Sequence, residues 1–312
     1  MKIFYATDLH GSEICWRKFL NAGPFYGVDV LICGGDMTGK AMIPIVKRNG
    51  RYEVTLQEIP YVLETEAELE EMKKRIANRG YYPVVVTPEE MAELAADDRL
   101  VQRRFEEEIL RTVERWMAMA EEKLAGKDLR CFVCPGNDDI FKVDEVIARS
   151  SVVEQGEARV IDLDGLTMVS MGWTNPTPWK TYREAPEEKL RERIERMVEQ
   201  VPDLRRAIFN FHAPPYGSNL DEAPALDEDM RYLHGGRAMR PVGSKAVREA
   251  IVEHQPLLSL HGHIHESKGT VRLGKTLAVN PGSTYEDGVL QGAILEVDPK
   301  KLKIRNYLLV NG

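Results

Sequence analysis

Five short apolar runs in this chain each end in a side chain able to bind a metal. Ile3-Phe4-Tyr5-Ala6-Thr7 ends in Asp8-Leu9-His10, and Val30-Leu31-Ile32-Cys33 ends in Gly34-Gly35-Asp36. Cys131-Phe132-Val133-Cys134 ends in Pro135-Gly136-Asn137-Asp138. Phe209-Asn210-Phe211 ends in His212, and Leu257-Leu258-Ser259-Leu260 ends in His261-Gly262-His263-Ile264-His265. Runs this short and this continuously apolar read as strands covered on both faces. A helical pattern over about Glu13 to Asn21 separates the first two, giving a βαβ opening and an α/β class. In open α/β sheets ligands bind beyond the carboxyl ends of the strands, which is where all of these polar residues stand.

The residue types narrow the chemistry. Asp, His and Asn offer hard oxygen and borderline imidazole donors without thiolate, a mix that suits Mn²⁺, Fe, Zn²⁺ or Ni²⁺ better than an all-oxygen Mg²⁺ or Ca²⁺ cage. Asp8/His10 and His263/His265 are spaced to reach one side of an extended segment. Glycines beside Asp36, Asn137 and His263 let backbone approach closely. A lone D-x-H is an ordinary turn more often than a site; the ordered set is what points to metals.

Composition bounds the partners. Of 312 residues 43% are hydrophobic and 29% charged, with a formal net charge of -8. Such a chain buries a substantial core and is not disordered. An acidic balance argues against general nucleic-acid coating. No stretch is long and apolar enough to span a bilayer, and the first residues lack signal-peptide anatomy, so a cytoplasmic protein is expected. The four cysteines are too few for a disulfide framework. Cys131 and Cys134 form a CxxC but read as part of a buried strand, where residues three apart point to opposite faces.

The βα rhythm breaks at Gly39 and resumes at Arg130. Between them, Arg48-Asn49-Gly50-Arg51 joins two strand-like runs as a type I′ hairpin. A helix carrying Leu69, Met72 and Ile76 ends at Gly80, and Tyr81 to Val86 forms a strand. Thr87-Pro88-Glu89-Glu90 opens a helical region as a capping box, and a longer helix carries Phe105, Ile109, Val113, Trp116 and Leu124. Residues 40–128 therefore read as an inserted subdomain, a cap, a lid or a dimerisation element, within a single domain over 1–312. Its edge strands offer a route to a homo-oligomer. Beyond it come strands at Ala158 to Asp162 and Leu166 to Met171, a helix over Glu187 to Gln200, a loop from Ala213 to Gly243, a helix over Ser244 to His254 and a β-rich end.

The order D-x-H, G-D, G-N-x-D, H, G-H-x-H resembles the calcineurin-like metallophosphoesterase superfamily, from Asp8 to His265. Pro135 to Asp139, Gly172 to Pro178 and His261 to Ser267 are similar to its Icc-related branch. The resemblance implies a four-layer α/β/β/α sandwich of two mixed sheets with a dinuclear metal centre at the strand ends. It implies that Asp8, His10 and His265 hold one divalent metal ion, that Asn137, His212 and His263 hold the other, and that Asp36 bridges them. A metal-bridged hydroxide would attack phosphorus, making the protein a metal-dependent phosphoester hydrolase with Asp36, Asn137, Asp138 and His212 at the reacting centre. The chain departs from the pattern at Asp138, where the family most often has histidine. A carboxylate there disfavours a dianionic monoester relative to a monoanionic diester, unless Asp138 points away and another group does the histidine's work. Phosphomonoesterase and nuclease are the alternative activities. A metal-binding interaction scaffold is the non-enzymatic one, although every expected ligand position is filled.

Other residues carry weaker expectations. Asn175, Ser218 and Asn219 stand in loops placed to contact a small phosphoester substrate. Trp173 or Trp179 offers a stacking surface, with core packing expected for at least one. His261 reads as a buried, satisfied histidine or as a group that orients a ligand histidine. His234 reads as an exposed loop residue, His254 as a helix C-terminal dipole partner, and Asn280-Pro281-Gly282-Ser283 as a structural turn.

Overall fold

A computed structural model describes residues 1–227 and 229–312. The chain opens with β1 (Lys2–Ala6), α1 (Glu13–Tyr26) and β2 (Val30–Cys33). There follow β3 (Ala41–Arg48), β4 (Arg51–Leu56), β5 (Ile59–Leu63), α2 (Glu66–Asn78), β6 (Tyr81–Val86), α3 (Pro88–Ala96) and α4 (Asp98–Leu124). The main rhythm returns with β7 (Arg130–Val133), α5 (Lys142–Ile147), β8 (Val153–Gln155), β9 (Val160–Leu163), β10 (Leu166–Met171), α6 (Glu187–Val198) and β11 (Ala207–Phe211). Last come β12 (Glu222–Pro224), β13 (Met239–Pro241), α7 (Lys245–His254), β14 (Leu258–Leu260), β15 (Gly269–Leu273), β16 (Thr276–Asn280), β17 (Gln291–Asp298) and β18 (Lys303–Asn311).

Two six-stranded sheets run β18-β17-β1-β2-β7-β8 and β15-β16-β14-β11-β10-β9. The inner strands of each pair in parallel and antiparallel strands close most edges. Alternation along a strand assigns side chains to layers. Ile3, Tyr5, Ile32 and Phe132 face inward and meet Met168, Ile208, Leu258 and Leu277 of the other sheet. Phe4, Leu31 and Cys131 face outward and pack against Trp16, Phe19 and Trp116. On the far side Phe209 and Phe211 pack against Leu190, Ile194, Val247 and Ile251 of α6 and α7. The result is the four-layer α/β/β/α sandwich. The four cysteines are free and buried. Among the described residues no helix is long and apolar enough to cross a membrane.

The stretch expected as one insertion divides in two. Residues 41–86 form a four-stranded sheet, β5-β4-β3-β6, with its own core of Ile45, Tyr52, Val54, Leu69, Met72 and Ile76. Its first turn is the expected hairpin: Arg48 pairs with Arg51 while Asn49 and Gly50 sit at φ 51° and 77°. The α4 helix instead belongs to the main sandwich. Ile109, Val113, Trp116, Met117 and Ala120 lie in the outer core of the first sheet, and the Trp116 ring stacks on Trp16 with centroids 4.9 Å apart and planes 4° from parallel. An apolar stripe on a helix has to be buried somewhere; here it covers the face of β1, β2 and β7 beside α1. Strands β5 and β8, helix α5 and the β12–β13 hairpin were not expected from the sequence; each is short or flanked by polar residues. The strand expected over Ala158 to Asp162 begins at Val160, because Ala158 takes a positive φ of 54°.

Because α4 completes the main core, Trp116→Ala should lower the stability of the whole protein by about 3–5 kcal/mol, the usual cost of emptying a large buried aromatic site. Urea unfolding followed by the fluorescence of the remaining tryptophans checks this. An unchanged midpoint would mean that α4 belongs to a separately folding insertion.

Candidate metal centre

The loops after β1 and β2 are laced together before any side chain is considered. The amides of Asp8, His10 and Gly11 donate to the carbonyls of Gly35, Asp36 and Met37 at 2.8–2.9 Å. This lacing puts Asp8, His10 and Asp36 into positive-φ conformations of 54°, 41° and 47°, and His263 joins them at 66°. Such conformations are uncommon away from glycine and concentrate at functional sites. Gly35 at φ 138° cannot be replaced without a clash, since a Cβ there would stand 2.1 Å from His212 Nδ1. A Cβ on Gly136 would stand 2.2 Å from Asp36 Oδ1.

Two donor clusters result. Ligand atoms of Asp8, His10 and His265 lie within 4.8 Å of one another, as do those of Asp36, His212 and His263. His10 Nε2 is 3.1 Å from His265 Nε2, 3.7 Å from Asp36 Oδ2 and 3.9 Å from Asp8 Oδ1. His212 Nε2 is 3.3 Å from Asp36 Oδ2 and 3.7 Å from Asp8 Oδ1. Metal–ligand bonds of about 2.0–2.2 Å set neighbouring donors roughly 3 Å apart, so these spacings suit a shared ion.

Hydrogen bonds orient several of these donors. His212 Nδ1 meets the Gly34 carbonyl at 3.1 Å, and its buried Nε2 has no hydrogen-bond partner. Asn137 Nδ2 donates to Thr181 Oγ1 at 2.9 Å and to Asp138 Oδ1 at 3.3 Å, so its buried Oδ1 is also left without a partner. Asp8 accepts the His263 amide at 3.0 Å, and Asp36 accepts the Asp138 amide at 2.9 Å. Tyr285 packs its ring against His10 and His265. Asp139, fully buried, accepts the amides of Met37, Thr38 and Gly136 and so ties the β2 loop to the β7 loop.

Electrostatics tie the carboxylates and imidazoles of the two clusters together. Burial alone would raise Asp8 and Asp36, yet His212, with His265 at Asp8 and His10 at Asp36, holds both well below the usual carboxylate range. Burial would lower His212, but Asp36 and Asp8 push it up to about 9. His263, by contrast, is pulled down to about 4 by burial and by His212. A buried orphan nitrogen, a buried orphan amide oxygen and a mixed carboxylate, amide and imidazole donor set fit divalent metal ions, for which Asp8, His10, Asp36, Asn137, His212, His263 and His265 are the candidate ligands.

The clusters floor a cavity of about 880 Å³ lined by Asp36, Asn137, Asp138, His263 and His265 at its inner end. Asn175 also lines it, donating to the Val242 carbonyl at 3.0 Å. Ser218 and Asn219 do not. The Ser218 hydroxyl donates to the Pro215 carbonyl and its amide to Asp221, closing a local turn that leaves Asn219 outward. Trp179 is 67% exposed on the cavity wall, whereas Trp173 packs into the α6 layer under Arg193. His261 is a satisfied buried histidine, bonded to Ser259 and to the carbonyls of Phe211 and Ala213. His234 is exposed, and His254 meets Glu195 at 3.3 Å at the end of α7. Asn280 makes the expected turn, accepting the Gly282 amide and donating to loop carbonyls, while Ser283 donates to the Asp8 carbonyl. Thr181, Asp139, Tyr285 and Lys40 are the site residues that sequence reasoning missed.

No family model matches the chain. The uncharacterised protein MJ1162 of Methanocaldococcus jannaschii is 31% identical over 165 residues, 51% of this chain and 68% of that protein. One solved structure, 19% identical, aligns with a TM-score of 0.58 over 99% of this chain and 98% of its own. Another, TT1561 of Thermus thermophilus, is 15% identical with a TM-score of 0.53 over 100% and 97%. At those identities the two structures speak for the fold. The two-sheet sandwich and the paired Asp/His clusters at its strand ends match the pattern of the calcineurin-like metallophosphoesterase superfamily.

Gly136→Ala should push Asp36 out of line and cut bound Mn²⁺ from about two per chain to one or fewer, with the circular dichroism spectrum unchanged. Elemental analysis after gel filtration reads the stoichiometry; two tightly held ions in the variant would remove Asp36 from the shared position.

Proposed function

We propose that this protein is a dinuclear-metal phosphoester hydrolase that favours diesters of small molecules. The observation that carries the reading is the pair of metal-competent clusters meeting at Asp36 on the floor of a cavity large enough for an organic phosphoester. Asp8, His10 and His265 would hold one divalent ion, Asn137, His212 and His263 the other, and Asp36 both. When bound, such ions supply an acidified water and positive charge for the phosphoryl oxygens. The donor set suits Mn²⁺, Fe, Zn²⁺ or Ni²⁺.

The chain's own residues do the rest. The Gly34 carbonyl fixes the ring of His212, and Thr181 fixes the amide of Asn137. The preference for diesters rests on Asp138. Its side chain is 20% exposed, lines the cavity beside Asp36, and has Oδ2 3.8 Å from His10 Nδ1. Burial and the charge of Asp36 push its carboxyl up to about 7, against the lowering pull of Lys40. A monoester dianion brings two charges to it and a diester one. The second ester group has room along a wall that includes Trp179, Tyr182 and Tyr216, where an aryl or base ring could stack.

After Mn²⁺ loading, the protein should hydrolyse bis(p-nitrophenyl) phosphate faster than p-nitrophenyl phosphate, and Asp36→Ala should lower both rates by about 10²-fold or more. Asp138→His should shift the ratio toward the monoester. A ratio that stayed put would take the diester preference away from Asp138.

A further inference from the structure

The cavity wall carries three basic side chains, Lys40, Arg240 and Lys245. Arg240 lies on β13 and Lys245 opens α7, with its ammonium over the Tyr216 ring at 5.5 Å. These two belong to the outer wall. Lys40 alone of the three reaches the inner end: its Nζ is 3.3 Å from Asp138 Oδ2.

The backbone that presents Lys40 is held from both sides. Gly39 donates its amide to Tyr82 Oη at 2.7 Å. A Cβ on Gly39 would meet the Gly80 carbonyl at 2.2 Å, and one on Gly11 would meet Gly39 itself at 2.8 Å. On the next residue, Ala41 pairs with Tyr81 to begin the parallel β3–β6 ladder. Lys40 is therefore the last residue before the 41–86 sheet, clamped between the His10 loop and that sheet. Its charge is felt by His10 and His265, both of which it makes harder to protonate, and Asp138, Asp36 and Asp8 in turn raise Lys40 against the lowering effect of burial. An ammonium has three donors. Among the described residues Asp138 is the carboxylate within ion-pair reach of it, and the side chain is still 47% exposed.

Resting on the phosphoester reading above, we propose that Lys40 is a catalytic residue of this site, its ammonium shared between Asp138 and a non-bridging oxygen of the substrate phosphoryl group. Asp138 and Lys40 are neutral as a unit. The cation can lean toward the substrate with its remaining donors while the carboxylate keeps it in place. The 41–86 sheet thus has a part in the chemistry without covering the cavity: it fixes where this cation stands.

The test uses the full chain loaded with Mn²⁺, with inorganic phosphate as the binding probe in calorimetry and bis(p-nitrophenyl) phosphate as substrate. Lys40→Met should retain its metals, bind phosphate about tenfold more weakly and lose about 10²-fold in kcat/KM. Lys40→Arg, which keeps the charge, should recover most of the phosphate affinity. Asp138→Asn combined with Lys40→Met separates direct contact from mere neutralisation. If Lys40 touches phosphate, the double variant stays well below the wild type; recovery to wild-type affinity would overturn the proposal. Metal loss in Lys40→Met would also overturn it, because a residue that contacts only substrate leaves the ligands alone. Failure of the underlying reading looks different: Lys40-dependent phosphate binding with no ester turned over would reject the hydrolase and leave the contact standing. Equal turnover by wild type and Lys40→Met would reject Lys40 and leave the hydrolase.

Discussion

The carboxylates of Asp8 and Asp36 stand buried among the imidazoles of His10, His212, His263 and His265 at the seam between two sheets. Each buried charge loses its hydration, a penalty of several kcal/mol per ion unless compensated. The backbone adds to it: Asp8, His10, Asp36 and His263 sit in left-handed conformations that cost about 1–3 kcal/mol each for residues with a Cβ. The rest of the fold is arranged to hold these residues there. Backbone hydrogen bonds lace the β1 loop to the β2 loop, Asp139 ties the β2 loop to the β7 loop, and the sandwich beneath supplies apolar burial. Divalent cations at the two clusters would turn mutual repulsion among the carboxylates into attraction, which makes the strain intelligible as preorganisation.

The division of residues 40–128 follows from the same demands of burial. The α4 helix has an apolar stripe that closes the outer face of the first sheet, so it could not be lost without exposing Leu31 and Cys131. The 41–86 sheet has a core of its own and joins the sandwich through Tyr82 and at its root, where Gly11, Gly39 and Gly80 allow three backbone segments to touch. That root is also the edge of the cavity. A subdomain attached there has influence on the site through whichever residue stands at the junction.

Strand ends were legible in the sequence because ligand and strand are neighbours in the chain. An apolar run followed at once by Asp8, Asp36, Asn137, His212 or His263 exposes both the element and its chemistry. The caps of α2 and α3 and the Asn49–Gly50 turn were legible for the same local reason. What escaped depends on distance in sequence. Thr181 matters because it meets Asn137, 44 positions away, and Asp139 because it accepts amides about a hundred positions earlier. Lys40 looked like the first residue of an insertion, and only the packing of Gly39 against Gly80 brings it to Asp138. Ser218 and Asn219 err the other way. Their spacing to Asp221 is turn chemistry, which local rules could have read, and the turn carries them off the cavity.

The candidate ligands come from both sheets: Asp8, His10, Asp36 and Asn137 follow strands of one, His212, His263 and His265 strands of the other. The interface between those sheets is apolar, and apolar contact is non-directional; it holds the layers together without specifying their slide to a fraction of an ångström. Directional bonds cross the seam at the site, where the His263 amide meets Asp8 and His212 meets the Gly34 carbonyl, and also away from it, where Arg130 donates to the Asp162 carbonyl and Arg206 to the Pro299 carbonyl. Ions bound to donors from both sheets would add to these and would stabilise the native state by mass action, by about 2.7 kcal/mol at a hundredfold excess over the dissociation constant. The contacts that shape the site thus also help to set the registry of the two sheets. A substitution that loosens the sandwich core is therefore expected to weaken metal binding as well, even when it touches no ligand.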